Sequence, residues 1–470
     1  MAGVVRDAVE FDMEVPVVVV GAGASGLTAA LAARDAGADV FLLERDLVPR
    51  GSTCMSQGNV CAAGTKLQKA KGIVDDADSF YRDIMAQTHN TADPVIARTV
   101  ADNAGPTVDW LIEKFEIPFT INTKWGASFG HSADRQHGMP TRTGGELHGA
   151  LTRAAEGIGV DIIAGAHVDT VYADEDGRVR GVAFTRPDGT AERVGCQALV
   201  LTTCGFGANA EMVKKFIPAF GNTPYYRYFG HEGNEGEGIK WGMELGAAVG
   251  SMDAFQGYGA LAEQYGIIAN YDLVLSGGIQ ANARGERFSN EVADISGQAL
   301  NVLPQPDGIG WIVFDDIRSA TCESYPEYVE LKALGAIRTG ATAAELAAAI
   351  KVPVDALEKT LNEVAGYARG EAKDPFGRDF TGRPPMKGPY QAIKTTGALF
   401  HTQGGLRVNA NAQVMRPDGS LLPNLFAGGG AAEGISGAGP SGYLPAAGLC
   451  TAVTLGRLAG AAAAALVKAG

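Results

Sequence analysis

Two stretches of the chain carry residue types whose spacing suits chemistry. Near the N-terminus, Gly21-Ala-Gly-Ala-Ser-Gly26 is followed by Glu44, 23 residues after Gly21. Glycines at that spacing let a backbone turn sharply, approach a pyrophosphate and pack a helix against a strand, and the carboxylate accepts hydrogen bonds from ribose hydroxyls. Toward the other end, the stretch from Ser436 to Gly448, SGAGPSGYLPAAG, is too rich in glycine and proline for a regular helix or strand, yet holds one bulky phenol, Tyr443. A loop of small residues lets a backbone come close to something flat or charged. A phenol there either points at a ligand or packs on the loop.

The elements that must position these groups follow from the hydrophobic pattern. An apolar run ending at Val20 reads as a buried parallel strand, an Ala-rich helix runs from the glycine turn to about Ala36, and a second strand covers Val40 to Leu43. This βαβ order gives the glycine motif its meaning, because the turn falls between a strand and a helix. The acid at Glu44 disfavours a 2'-phosphate, so FAD or NAD fits better than NADP. Apolar strands ending in glycine turns recur at Gly195 to Gly207 and at Pro423 to Gly430, so the nucleotide domain is discontinuous. Gly236-Glu237-Gly238 opens one further helix, and a last helix of small residues begins near Ala446. Helix N-termini of this kind can face the carbonyl edge of a flavin ring.

Composition bounds the remaining classes. The 470 residues allow about three domain-sized units, and 46% hydrophobic residues can bury a large core. The formal charge of -14, without a basic run, argues against nucleic acid and anionic membrane surfaces as partners. The first sixteen residues have acids where a signal peptide needs a basic start, and no apolar run is read as long enough to span a bilayer, so a cytoplasmic location is expected. Six cysteines without CxxC spacing are expected to pack, and seven scattered histidines predict no metal site.

Taken together, these segments resemble the FAD-dependent fumarate reductase and succinate dehydrogenase flavoprotein superfamily over nearly the whole chain. The matching text is VVGAGASGLTAALAARDAGADVFLLE, TRTGGELHGAL from Thr141, GNEGEGIKWGMELGA from Gly233, NARGERFSNE from Asn282, FHTQGGLRVNANAQV from Phe400, LPNLFAGGG and TLGRLAG. The resemblance implies an α/β fold: a Rossmann-type FAD-binding domain in two parts, 1–251 and 397–470, with an inserted α+β cap at about 252–396. It implies hydride exchange between the flavin and a carbon beta to an activating group. FAD contacts carry over to Gly21, Gly23, Ala24, Ser25, Gly26, Glu44, Arg45, Ser52, Thr53, Gly58, Gly145, Val168, Gly205, Glu237, Gly429, Glu433 and Leu449, with Gly145 and Glu237 on the flavin side. The loop PRGSTCMSQG has no histidine where succinate dehydrogenases attach FAD, so the cofactor is expected to be non-covalent.

Departures from the family point to the substrate. His401 keeps one dicarboxylate-binding position. The proton-delivering arginine after the FxNE motif, here Phe288-Ser-Asn-Glu291, falls on Ile295, and the C-terminal carboxylate-binding arginine falls on Tyr443. Without arginine pairs, a buried dicarboxylate would be left uncompensated at a cost of several kcal/mol. The phenols look similar to those of the 3-ketosteroid dehydrogenases, in which one tyrosine donates to a ring ketone and another, from the cap, takes the alpha proton. Tyr443 takes the first role, with the Ala446 or Ala447 N–H beside it, and Tyr258 the second, with Tyr265 and Tyr271 as alternatives. His401 is either a substrate contact or a satisfied buried histidine, and Arg142 either shields its turn or binds a carboxylate. The expected function is α,β-dehydrogenation of a cyclic ketone, steroid or small alicyclic, with a separate electron acceptor. The alternatives are an ene-reductase acting on an enone or unsaturated acid, and a non-catalytic flavin-binding protein.

Overall fold

The computed structural model describes residues 3–123, 127, 129–440 and 442–469. The chain divides into two units, one made of 1–217, 230–255 and 401–470 and the other of 218–229 and 256–400.

The first unit is organised by a mixed sheet. Strands β1 (Met13–Val20), β2 (Val40–Glu44), β3 (Asp161–Ala164), β4 (His167–Ala173), β5 (Val179–Thr185), β6 (Ala191–Leu201) and β7 (Leu421–Ala427) belong to it. A parallel run β7-β6-β1-β2-β3 forms its centre, with Leu201 beside both Val20 and Ala427 and Val20 beside Leu43. Val17, Val18 and Val19 are fully buried, which is why β1 reads as unbroken apolar text rather than an alternating pattern. The carboxyl ends of these strands are the edge at which open α/β sheets hold their ligands.

Helices α1 (Ala24–Asp35), α2 (Gly51–Cys54), α3 (Gly144–Gly157), α4 (Glu237–Glu244) and α5 (Ala447–Ala469) complete the frame used below. A Cβ at Gly456 or Gly460 of α5 would overlap the carbonyl oxygens of Ser25 and Ala29 in α1, so small residues let the two helix backbones touch. This explains a departure from the sequence reading. Among the described residues α5 is the one helix long and apolar enough to cross a membrane, and 61% of its most apolar window is buried within the protein.

A three-stranded sheet of 60–61, 120–122 and 136–138 supports the segment that follows α2. His137 lies within it, fully buried, with Nδ1 2.7 Å from the Arg135 carbonyl oxygen and Nε2 2.8 Å from Thr65 Oγ1. Burial pushes its pKa down from 6.5 to about 4. The unfolded chain therefore binds a proton that the folded chain refuses between those values. The stabilisation is fully present above pH 6.5 and is lost as pH falls toward 4, by about 1.4 kcal/mol per pH unit. Urea unfolding at pH 7 and pH 4.5 should show His137→Gln losing less stability on acidification than the parent; equal losses would remove His137 as the cause.

The second unit has its own sheet, including strands 255–262, 309–315 and 390–402, and helices Pro326–Ala333, Ala343–Ile350 and Val354–Ala368. Its FSNE motif is a structural anchor. The fully buried Glu291 carboxylate lies 2.7 Å from Arg287 and 3.0 Å from Arg378, and Asp374 lies 2.6 Å from Arg287, so every charge is compensated.

Candidate functional site

The turn between β1 and α1 is built as a phosphate cradle. Gly21 has φ +102, and a Cβ there would come 2.6 Å from the Thr202 carbonyl oxygen, so only glycine fits. At Gly26 a Cβ would overlap the Gly21 carbonyl, which fixes the close helix–strand packing, whereas Gly23 has only Thr53 Oγ1 nearby, at 3.4 Å. Helix α1 begins without a side-chain cap on Gly23, and Ala24 N–H donates to Thr53 Oγ1 at 2.9 Å. Ser25 Oγ is buried without a partner among the described residues, and a Cβ at Gly428 would come 2.7 Å from it. An orphaned hydroxyl in the first turn of a helix, facing a glycine loop beside Gly429, suits a phosphate or sugar oxygen.

The nucleotide end is organised around β2. The Glu44 carboxylate accepts Ala22 N–H at 2.7 Å and Asp46 N–H at 2.9 Å, which aims it beside the glycine turn. Arg45 donates to the Gly233 carbonyl at 3.2 Å, and Ser52 Oγ accepts from Asn234 Nδ2 at 2.7 Å, so both tie the 231–235 loop to the strand end. Val168, in β4, is buried close by. These residues fit an adenine dinucleotide: a carboxylate for the ribose, a capless helix start and an unsatisfied hydroxyl for the phosphates.

Two of the cofactor candidates differ in what surrounds them. Glu237 lies in the first turn of α4, but its carboxylate pairs with His167 at 3.1 Å, and this bond raises the His167 pKa while Arg45 opposes it. The bond holds Glu237 beside His167 and toward Arg45. Of the two glycines opening α3, a Cβ at Gly145 meets nothing within 4 Å, while one at Gly144 would overlap the Thr53 carbonyl oxygen. Gly144 is the residue that packing demands, and the sequence reading missed it because the paired glycines read alike. Gly58 is also required, since a Cβ there would come 2.7 Å from the Thr143 carbonyl. Gly205 packs against Thr402 in the same way, and the buried Glu433 accepts from Ser251 Oγ at 2.7 Å and pairs with Arg407 at 3.3 Å.

Two of the candidate catalytic residues meet at the start of α5, whose first turn includes Leu449. Tyr443 and His401 meet edge to face, with ring centroids 5.7 Å apart at 71°. The half-buried phenol has its pKa raised by burial, and the backbone N–H groups of Ala446 and Gly448 hydrogen-bond its oxygen. The Ala447 N–H donates to the Leu444 carbonyl at 3.0 Å. The loop is held from behind. His131 Nε2 is 3.0 Å from the Pro445 carbonyl, Ala438 N–H donates to Thr91 Oγ1 at 3.0 Å, and Ala446 adopts φ +69, rare for a residue with a Cβ. Burial pushes His401 down to about 4, so its ring is neutral near pH 7.

The remaining candidates are placed differently. Arg142, at φ +55, is exposed and makes no ion pair among the described residues. Within the second unit, Tyr258 and Tyr271 belong to a buried apolar cluster against which Ile295 and Tyr265 pack. The Tyr258 ring stacks on Phe400 at 5.0 Å, and its hydroxyl donates to the Ala269 carbonyl at 2.9 Å. Burial raises its pKa well above the usual phenol value. Tyr271 donates to the Glu291 carbonyl, and burial raises its pKa in the same way.

Comparison with known proteins fits this geometry. Residues 16–443 match the family model described as FAD binding domain. The NADH:fumarate oxidoreductase of Klebsiella pneumoniae is 28% identical over 90% of this chain, which spans only 45% of that protein's length. A flavocytochrome c3 fumarate reductase in its open conformation superposes with a TM-score of 0.84 at 26% identity, covering 97% of this chain and 79% of that one. The 3-ketosteroid-delta4-(5alpha)-dehydrogenase of Rhodococcus jostii RHA1, in complex with 4-androstene-3,17-dione, superposes at 0.77 with 25% identity, covering 98% and 99%. The cradle between β1 and α1, the matched 428-residue span and these likenesses lead to one conclusion: the chain belongs to the FAD binding domain family of FAD-dependent oxidoreductases, within the fumarate reductase and succinate dehydrogenase flavoprotein superfamily.

Proposed function

We propose that the protein introduces a double bond alpha,beta to the carbonyl of a cyclic ketone, of 3-ketosteroid or cyclohexanone type, and passes the electrons to a separate acceptor. FAD, bound without a covalent link, supplies the two-electron acceptor for the hydride. The observation that carries the reading is the pairing of Tyr443 with a neutral His401 at the start of α5. Tyr443 would donate to the carbonyl oxygen, and an uncharged donor favours a substrate whose negative charge appears only as the alpha proton leaves. Ile295, packed against the apolar cluster of the second unit at the position where the resemblance implies an arginine, supports the same reading. Tyr258 is the proposed acceptor of the alpha proton, and it would have to exchange its hydrogen bond to the Ala269 carbonyl for one to the substrate. Likeness to the Rhodococcus ketosteroid enzyme adds support at the level of the whole chain.

The reverse reaction, reduction of an enone or unsaturated acid, is favoured by the fumarate-reducing relatives and by His401 in its family position. Anaerobic mixing of the oxidised protein with 3-ketosteroids and substituted cyclohexanones should bleach the flavin. Succinate should leave it oxidised, and fumarate should not reoxidise the reduced form. Turnover of fumarate at a rate comparable with any ketone would overturn the proposal in favour of the reductase.

A further inference from the structure

His401 has two ring nitrogens, and what each can do depends on which carries the proton. The side-chain nitrogen of Gln403 lies 3.1 Å from His401 Nδ1. An amide nitrogen donates and does not accept, so this contact makes Nδ1 the acceptor and leaves the proton on Nε2. The Thr402 carbonyl stands 3.5 Å from the same Nδ1, at the outer limit of a hydrogen bond, so the shorter amide contact decides.

Gln403 is built to hold this orientation. It is 4% exposed, and its backbone is clamped on both sides: its N–H donates to the Ala254 carbonyl at 2.8 Å, and its own carbonyl accepts Gly434 N–H at 2.8 Å. A Cβ at Gly434 would come 2.7 Å from Gln403 Oε1, so glycine there leaves the amide its room. On the other side of the ring, a Cβ at Gly448 would come 3.2 Å from Nε2, which puts that nitrogen against the first turn of α5 and near Tyr443. Burial of the imidazole keeps a second proton off.

The geometry points to Gln403 as a positioning residue that fixes His401 in its Nε2-protonated tautomer, so that the site offers two uncharged donors, Tyr443 O–H and His401 Nε2–H, to one carbonyl oxygen. The use of the two donors rests on the ketone reading; the tautomer does not. Two substitutions of similar volume separate the positions the amide could take. Gln403→Met keeps the shape and removes the donor, and Gln403→Glu puts an acceptor where the donor stood.

The test is a long-range proton–nitrogen correlation spectrum of the FAD-loaded protein labelled with 15N-histidine, with His401 identified by its loss in His401→Asn. The wild type should show the protonated nitrogen coupled to both ring carbons' protons, which marks it as Nε2. Gln403→Glu should move the proton to Nδ1, and Gln403→Met should populate both tautomers. With FAD content and melting temperature near those of the parent, flavin reduction per bound FAD should fall about tenfold in Gln403→Met, the scale of one hydrogen bond, and further in Gln403→Glu. A wild-type proton on Nδ1, or a tautomer unchanged in Gln403→Glu, would overturn the assignment. Should every ketone fail as a substrate while the spectra behave as stated, the ketone reading falls and the role of Gln403 stands.

Discussion

Replacing Tyr443 by phenylalanine is expected to lower the rate of flavin reduction per bound FAD by roughly 100- to 1000-fold, while FAD content stays near that of the parent. The ring fills the same space against His401, so packing is kept and only the oxygen is lost. The Ala446 and Gly448 amides lose their acceptor, but both residues are only partly buried, so the cost should stay near that of one hydrogen bond, about 1 kcal/mol. That is a shift of a few degrees in melting temperature, not unfolding. Substrate affinity should change much less than the rate, because the bond strengthens only as charge develops on the carbonyl oxygen. Since burial raises the phenol pKa above its usual 10, Tyr443 stays protonated as pH rises, and no loss of rate below pH 10 should trace to it. Stopped-flow reduction of the variant with the best ketone, beside its melting curve, checks both halves. A tenfold or smaller loss of rate would leave Tyr443 as a packing residue of its loop and take the ketone reading with it.

What the sequence disclosed divides along a physical line. The βαβ turn was legible because its constraints are local: the strand, glycines and acid lie within thirty-odd residues, and Gly21 and Gly26 answer to the backbone oxygens of Thr202 and Gly21. The later strands of the sheet were legible for the same reason, as short apolar runs ending in glycine. Tyr443 and His401 are 42 residues apart, and nothing in their spacing says that they meet; the resemblance supplied that pairing, and the edge-to-face contact gives it a shape. Hydrogen-bond partners were not legible. The motif at the start of α4 gives Glu237 its place, but not its pairing with His167, which comes from a strand 70 residues earlier in the chain. Tyr258 had the right residue type, yet its hydroxyl is held by Ala269 in a cluster that burial alone selects. Gln403 carried no signal at all, since a glutamine beside two glycines has meaning only once the imidazole it touches is known.

The two glycines that open α3 give the sharpest separation of packing from ligand contact. Gly144→Ala adds a methyl group inside the van der Waals shell of the Thr53 carbonyl oxygen, a backbone atom that cannot rotate away. Relief requires α2 and α3 to part, which disturbs the Thr53 hydroxyl that accepts from Ala24 at the head of α1. Overpacking of this kind costs about 1–3 kcal/mol or more, and here the damage falls on the cofactor cradle, so the variant should be purified largely without FAD. Gly145→Ala is the opposite case. Its Cβ meets no protein atom within 4 Å, and alanine is the better helix former by about 1 kcal/mol, so the apoprotein should melt no lower than the parent. If the open space before Gly145 is where FAD runs, the same methyl group intrudes on the ligand and should weaken FAD at least tenfold, equivalent to about 1.4 kcal/mol. Titrating both apoproteins with FAD, and recording melting curves with and without it, gives a crossed pattern: Gly144→Ala low in both stability and flavin, Gly145→Ala stable but weak in flavin. A Gly145→Ala protein that binds FAD as tightly as the parent would take Gly145 out of the cofactor site, leaving its neighbour's packing as the whole reason for the glycine pair.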